Sequence, residues 1–233
     1  MVPAQSEGKR MASPELEIKV RKAARALVRH GLANAYGHVS ARIDDDTFLV
    51  CAAQPMGLIA AGTPGSVVSL EGDLPEGVLG EVRIHREIYR RRPDIKGVAR
   101  TIPPKIMSLS TLRLTPRVRH GFGAYFYPSI PLWDSPMLIR DEASAQQLAA
   151  QVADGFAIVM RGNGLVTAGA SVEEAVVRAQ YAEDAARVEL DVRSAGNAGD
   201  PTFYSKEEVA VRVTWAGRIL ERMWDYMTAG DPE

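Results

Sequence analysis

Glu81 and His85 stand four residues apart in "GEVRIHREIYRRRPD", where helical spacing sets a carboxylate and an imidazole on one face. Such a pair suits proton transfer. Downstream, "GVARTIPPK" reads as a buried strand running into a proline turn, with Arg100 near its exit. Strand exits are common mounts for catalytic groups, and a fixed guanidinium can hold a carboxylate or enolate oxygen bidentately. Each residue also has a plainer account. His85 can be a satisfied core histidine under the sheet, and Arg100 can simply neutralise Glu81.

The elements that must carry these groups follow from periodicity. "SPELEIKVRKAARALVRHGLA" is predicted as a helix, with Ser13 as cap, Pro14 in its first turn and Gly31 as stop. "HVSARI" and "TFLVCAA" read as strands joined by an acidic turn, and "SVVSLEGDL" as a third short strand. A second helix spans "GEVRIHREIYRRRPD", followed by the strand "IKGVARTI" and a short helix "PKIMSLSTL". "AYFYPSIPLW" is read as proline-broken and extended, "SAQQLAAQVAD" as a helix, and "FAIVMRGNGLVTAG" as two strands about a Gly-Asn-Gly turn. Ser171 and Glu174 form an expected capping box opening a long helix. After a "GNAGDP" loop, a last continuous helix, "SKEEVAVRVTWAGRILERMWDYM", is boxed by Ser205 and Glu208. Interleaved helices and hairpin strands imply an α/β fold, a single-domain αβα sandwich with a mixed central sheet. Residues 1–12 are expected to be a disordered leader, and residues 13–233 the domain.

Composition narrows the function classes. Of the 233 residues, 46% are hydrophobic and 24% charged, an ordinary globular balance. A formal net charge of −1 argues against a nucleic-acid partner or membrane surface held by bulk electrostatics. No apolar run approaches the ~20 residues of a membrane helix. The single cysteine, Cys51, forbids an intrachain disulfide and favours a cytoplasmic place.

Three segments in register carry a family resemblance: "AYGHVSARI", "GEVRIHREIYRRRPDIKGV" and "VMRGNGLVTAGASVEEAVVRAQYAEDAAR". Together they resemble the class II aldolase/adducin family over roughly residues 15 to 196. That family usually holds zinc with three histidines, two from a His-x-His at the strand exit and one from an Arg-Gly-His-Gly turn. Here Arg100 and Ile102 stand at the first motif and Asn163 at the second, so zinc is expected to be absent.

The resemblance implies further roles. Glu81 matches the acid/base carboxylate. His38 and Ser40 lie in a strand expected to line the substrate pocket, and Asn163 is expected to join them. "VCAAQPMG" and "EGVLGE" replace the family's phosphate-binding loops, which makes a sugar phosphate a poor substrate. "GH" and "IHREIYRRRPD" are similar to a decarboxylase-like branch acting on aromatic or hydroxy acids. His120 matches a histidine common in that branch, and Tyr125 can wall an aromatic pocket or simply pack. The expected function is therefore a metal-independent lyase using enolate or carbanion chemistry on a small carboxylated substrate. Glu81, Arg100 and His85 would be catalytic, and His38, Ser40, His120, Asn163 and Tyr125 would bind. The alternatives are a non-catalytic adducin-like assembly module, or a metalloenzyme with ligands relocated to His38, His85, His120 and Glu81. The family's tetramers, with sites near subunit interfaces, imply a homo-oligomer, and the aromatic last helix agrees.

Overall fold

Strands β1 (His38–Arg42) and β4 (Gly97–Thr101) run antiparallel, with His38 opposite Arg100. In this computed structural model they are the centre of a seven-stranded sheet that also contains β2 (Thr47–Val50), β3 (Ser66–Ser69), β5 (Leu132–Trp133), β6 (Ala157–Met160) and β7 (Gly164–Gly169). The strand order is β3-β2-β1-β4-β7-β6-β5. All neighbours are antiparallel except β5 and β6. The sheet is mixed, as its hairpin-rich sequence implies. Residues 11–196 and 202–233 are described. Residues 1–10 of the expected leader and most of the "GNAGDP" loop lie outside them, and Ala12 already packs against the core.

Alternation along each strand sorts the side chains into two layers. Val39, Ala41, Leu49, Ala99 and Leu165 enter one core with helices α1 (Pro14–Arg29) and α5 (Val172–Ser194). Phe48, Val50, Val98, Val166 and Ala168 enter the other, with α2 (Val82–Arg91) and α4 (Glu142–Val152). His38, Ser40 and Arg100 share the parity of the second set. They therefore face α2 and not α5.

Caps account for most helix starts. The Ser13 side chain accepts from the Leu16 N–H at 3.2 Å, and Pro14 occupies the first turn of α1. Ser171 accepts from the Glu174 N–H, but the Glu174 carboxylate reaches back to the Ala170 N–H instead of completing a box. The Ser205–Glu208 box is reciprocal. It opens only α6 (Lys206–Arg212), because the expected continuous last helix is broken. Gly217 (φ +71°) and Arg218 (φ +58°) turn the chain before α7 (Ile219–Thr228). Tyr125 Oη donates to the Thr214 carbonyl in the gap, and the Trp215 ring packs 4.6 Å from Tyr125. Tertiary contact thus outweighs the local helical pattern. "AYFYPSIPLW" is a 3₁₀ turn, Gly123–Phe126, before the short β5. The helix α3 (Pro104–Thr111) follows β4 directly.

The last residues brace α1. Arg25 meets Asp231 at 2.6 Å and Glu233 at 2.9 Å, Arg21 meets Glu233 at 2.6 Å, and Arg25 also donates to the Ile59 carbonyl. Burial of a charge needs a partner, and Asp231 is 1% exposed. Replacing Arg25 by Ala leaves Asp231 with Arg29, at 3.4 Å, and the Glu233 N–H, at 3.2 Å. We expect a loss of about 2 kcal/mol in urea unfolding.

Candidate active site

The site opens where the start of β1, the end of β4 and the β6–β7 turn meet. Gly37 (φ +123°) and Gly164 (φ +103°) let the two flanking segments press onto β4. An added Cβ would come within 2.8 Å of the Arg100 carbonyl at Gly37 and 2.2 Å of the Thr101 carbonyl at Gly164. This approach carries Asn163 to Arg100, whose Nη2 donates to Asn163 Oδ1 at 2.7 Å. Glu81, at the N-cap of α2, makes no capping bond. One of its carboxylate oxygens lies 3.5 Å from Arg100 Nη2. Around these groups is a cavity of about 760 Å³, lined also by Tyr36, His38, Ile102, Leu138 and the exposed Arg140.

Arg100 is 3% exposed. Burial lowers its pKa and Glu81 raises it, and guanidinium stays protonated regardless. Because Asn163 Oδ1 accepts from Arg100, its amide is oriented with Nδ2 left over. Arg100 Nε, Asn163 Nδ2, His38 Nε2 and Glu81 Oε1 are all buried without a protein partner. Native structures leave few such atoms unpaired, and four on residues lining one cavity mark a ligand site. Arginine and amide nitrogens present donors, and the carboxylate oxygen presents an acceptor.

Two sequence expectations are corrected here. His85 does not line the cavity. It is fully buried beneath the sheet, between Ser40 Oγ (2.6 Å from Nδ1) and His38 Nδ1 (2.8 Å from Nε2). Ser40 also turns inward, bonded to His85 and to Tyr89 Oη at 2.9 Å. Helical spacing placed His85 correctly on the sheet-facing side of α2, but one turn deeper than Glu81. Only His38, at the strand's first position, reaches the cavity. Burial, with the Arg100 charge adding, pulls His85 down to about 3. Burial, His85 and Arg100 together hold His38 well below its ordinary value. Both rings are neutral at pH 7.

His120 and Tyr125 are not brought to this cavity either. From α3 onward the chain packs on the α5 side of the sheet, where Ile106 and Leu109 already enter the core. There His120 lies 3.8 Å from Asp184 and Tyr125 packs on Tyr181 and Trp215. Within one chain, His38, His85 and His120 do not assemble as a relocated ligand set. Arg140 carried no periodic or motif signal, and Tyr36, although it lies within "AYGHVSARI", was given no role. Cys51 is buried, its thiol pushed up to about 11.

The donor set at the positions where the resemblance implies a zinc site does not suit that ion. Arg100 is a cation, Ile102 offers no donor, and the Asn163 oxygen is already taken. Among the described residues, no group of three or more His, Cys, Asp or Glu is placed to hold a metal ion.

The buried imidazoles set an acid sensitivity. Unfolded, each binds a proton near pH 6.5, whereas the folded His85 does so only near 3. Their contribution to stability is complete above about pH 6.5 and is lost as pH falls toward 3. Urea midpoints should therefore fall between pH 6.5 and 5, above the range where most carboxylates titrate. The His85→Gln variant should show a shallower fall.

The sequence matches the Class II Aldolase and Adducin N-terminal domain family over residues 18–190. A 3,4-dihydroxyphthalate decarboxylase of Arthrobacter keyseri is 32% identical over 195 residues, covering 76% of this chain and 78% of that protein. Among solved structures, the L-fuculose-1-phosphate aldolase of Thermus thermophilus superposes with a TM-score of 0.69 at 25% identity, over 78% of this chain and 97% of that one. An aldolase II superfamily protein of Pseudomonas syringae shares the fold with a TM-score of 0.76 at 24% identity, over 93% and 92%. On this coverage the chain belongs to the Class II Aldolase and Adducin N-terminal domain family and is a lyase-type enzyme of that superfamily.

Proposed function

We propose that this lyase decarboxylates a small hydroxylated aromatic acid without a metal ion, with Arg100 in place of the cation. The observation that carries the reading is the buried Arg100 guanidinium at the wall of an open cavity, flanked by Glu81 and Asn163. An assembly module has no need of an open cavity with a buried cation in its wall, since an incompletely paired buried charge is costly. The decarboxylase relatives, among them proteins from Arthrobacter and Terrabacter named for 3,4-dihydroxyphthalate, support the substrate class.

In this reading the ring hydroxyl gives its proton to the free oxygen of Glu81. The electron pair moves into the ring, and Glu81 delivers the proton to the carbon bearing the carboxylate. The carbon–carbon bond breaks, carbon dioxide leaves, and the bonding pair restores the aromatic ring as a phenolate. Solvent reprotonates that oxygen, so one proton is consumed overall. Arg100 and Asn163 donate to the oxygen on which charge resides, a role in which one preorganised donor contributes about 3 kcal/mol. Arg140, on the facing loop, takes a second anionic group. The expectation of a homo-oligomer, a tetramer, is kept as part of this proposal. The half-open aromatic cleft beside α7, where Tyr226 is 66% exposed, supports it. Among the described residues no helix is long and apolar enough to cross a membrane. A cytoplasmic place belongs to the proposal.

The test is carbon dioxide release from 3,4-dihydroxyphthalate and related hydroxybenzoates, before and after chelator treatment, with metal content measured by elemental mass spectrometry. Chelator-insensitive turnover is expected. Glu81→Gln should lower kcat by about 10²–10⁴ with little change in KM. Arg100→Lys, which keeps the charge but loses the fork, should lower kcat/KM by about 10² or more. Turnover that requires a stoichiometric metal would overturn the proposal. Separately, light scattering that returns a monomer would remove the tetramer.

A further inference from the structure

Beneath the cavity runs a line of four buried side chains that the reaction above does not use for proton transfer: Tyr89, Ser40, His85 and His38. Tyr89 Oη lies 2.9 Å from Ser40 Oγ, Ser40 Oγ lies 2.6 Å from His85 Nδ1, and His85 Nε2 lies 2.8 Å from His38 Nδ1. Which atom owns each proton follows from the ends of the line. The Tyr89 hydroxyl is buried and shares a hydrogen bond with Ser40 Oγ in which either oxygen can donate. A buried hydroxyl proton left without an acceptor is costly, so Tyr89 donates to Ser40. Ser40 then has its own proton for His85 Nδ1. A neutral imidazole carries one proton. With Nδ1 accepting, His85 carries it on Nε2 and donates to His38 Nδ1. The same rule places the His38 proton on Nε2, the nitrogen left without a protein partner on a residue that lines the cavity. The opposite polarity would strand the phenol proton.

We infer that Tyr89, Ser40 and His85 are positioning residues that lock His38 in its Nε2–H tautomer, making it a neutral hydrogen-bond donor to an anionic oxygen of the substrate. The line ends in a buried phenol and does not reach solvent, so it works as a lock and not as a proton wire. It follows that His38 is not the general base. Three donors from His38, Arg100 and Asn163 then surround the single free acceptor on Glu81. The site selects a ligand rich in anionic oxygens that offers one hydroxyl proton. The identity of that ligand rests on the function proposed above, but the tautomer does not.

The experiment is a long-range ¹H–¹⁵N correlation spectrum of the full chain labelled with ¹⁵N-histidine, without ligand, assigned with His38→Asn and His85→Gln. Both rings are expected as neutral Nε2–H tautomers. In Tyr89→Phe, Ser40 is free to accept, and the two rings should populate the Nδ1–H form. Ser40→Ala removes the middle of the line by a smaller change and should produce the same mixture if the phenylalanine variant does not fold. Salicylate binding, followed by titration, should weaken about tenfold in either variant, the loss of roughly one hydrogen bond to a charged group. An Nδ1–H form of His38 in the parent protein would overturn the inference. So would an unchanged Nε2–H spectrum in folded Tyr89→Phe and Ser40→Ala. A correct tautomer with no turnover of aromatic acids would instead count against the proposed reaction and leave the lock standing.

Discussion

Burial of the Arg100 guanidinium is the constraint on which the site depends. A cation at 3% exposure must be compensated, and only part of the compensation is present. Glu81 lies at 3.5 Å and Asn163 accepts one hydrogen bond. The remaining field acts on everything nearby. It disfavours protonation of His38 and His85, which are already desolvated, and keeps both rings neutral. It orients the Asn163 amide. Glu81, at the start of α2, makes no capping bond and lies toward Arg100 at the cavity. Burial first, with this one charge adding, thereby bears on the protonation or orientation of its neighbours.

Strand parity distributes these residues. A one-residue slip between β1 and β4 would send His38 and Ser40 into the α1–α5 core and put Val39 on the cavity side. The register is held from both sides: β4 pairs with β1 and with β7, and two glycines at positive φ let the neighbouring loops close over its exit. The hydrophobic residues between the polar ones, such as Val39 and Ala99, pin the register by burying on the opposite face. The sheet core and the site are thus specified by the same alternation.

The fold is the family's, and the donors at this strand exit are this chain's own. The order of elements and the fold agree with aldolase structures, while the strand exit presents a guanidinium and an isoleucine. A guanidinium differs from a metal ion in ways that suit oxyanion chemistry. It binds through a planar fork, stays charged at all working pH values and requires no deprotonated ligands of its own. It cannot activate water as a metal does, and the reaction proposed above relies instead on a substrate hydroxyl and a single carboxylate.

Much of this was legible in the residues. Ser13 and Pro14 marked α1, the acidic turn after "HVSARI" and the proline turn after "GVARTI" marked β1 and β4, and the Ser205–Glu208 box marked α6, because each is a signal acting across a few positions. The meeting of Arg100 with Glu81 was foreseeable from element order. What the chain does over longer separations was not. Gly217 in "TWAGR" offered a local hint of the helix break, but the break depends on Tyr125 claiming the Thr214 carbonyl from 89 residues away. Ser40 and His85 read as site groups, yet their depth under the sheet depends on how far α2 lies along β1. His120 and Tyr125 sit on the far side because the chain from α3 onward packs against α5, and no short pattern encodes that. Sequence alone determined most of the elements, the two-faced sheet and the presence of an arginine at the strand exit. Tertiary structure alone decided which polar atoms pair and which remain free, since hydrogen bonds depend on distances of tenths of an ångström between residues far apart in the chain.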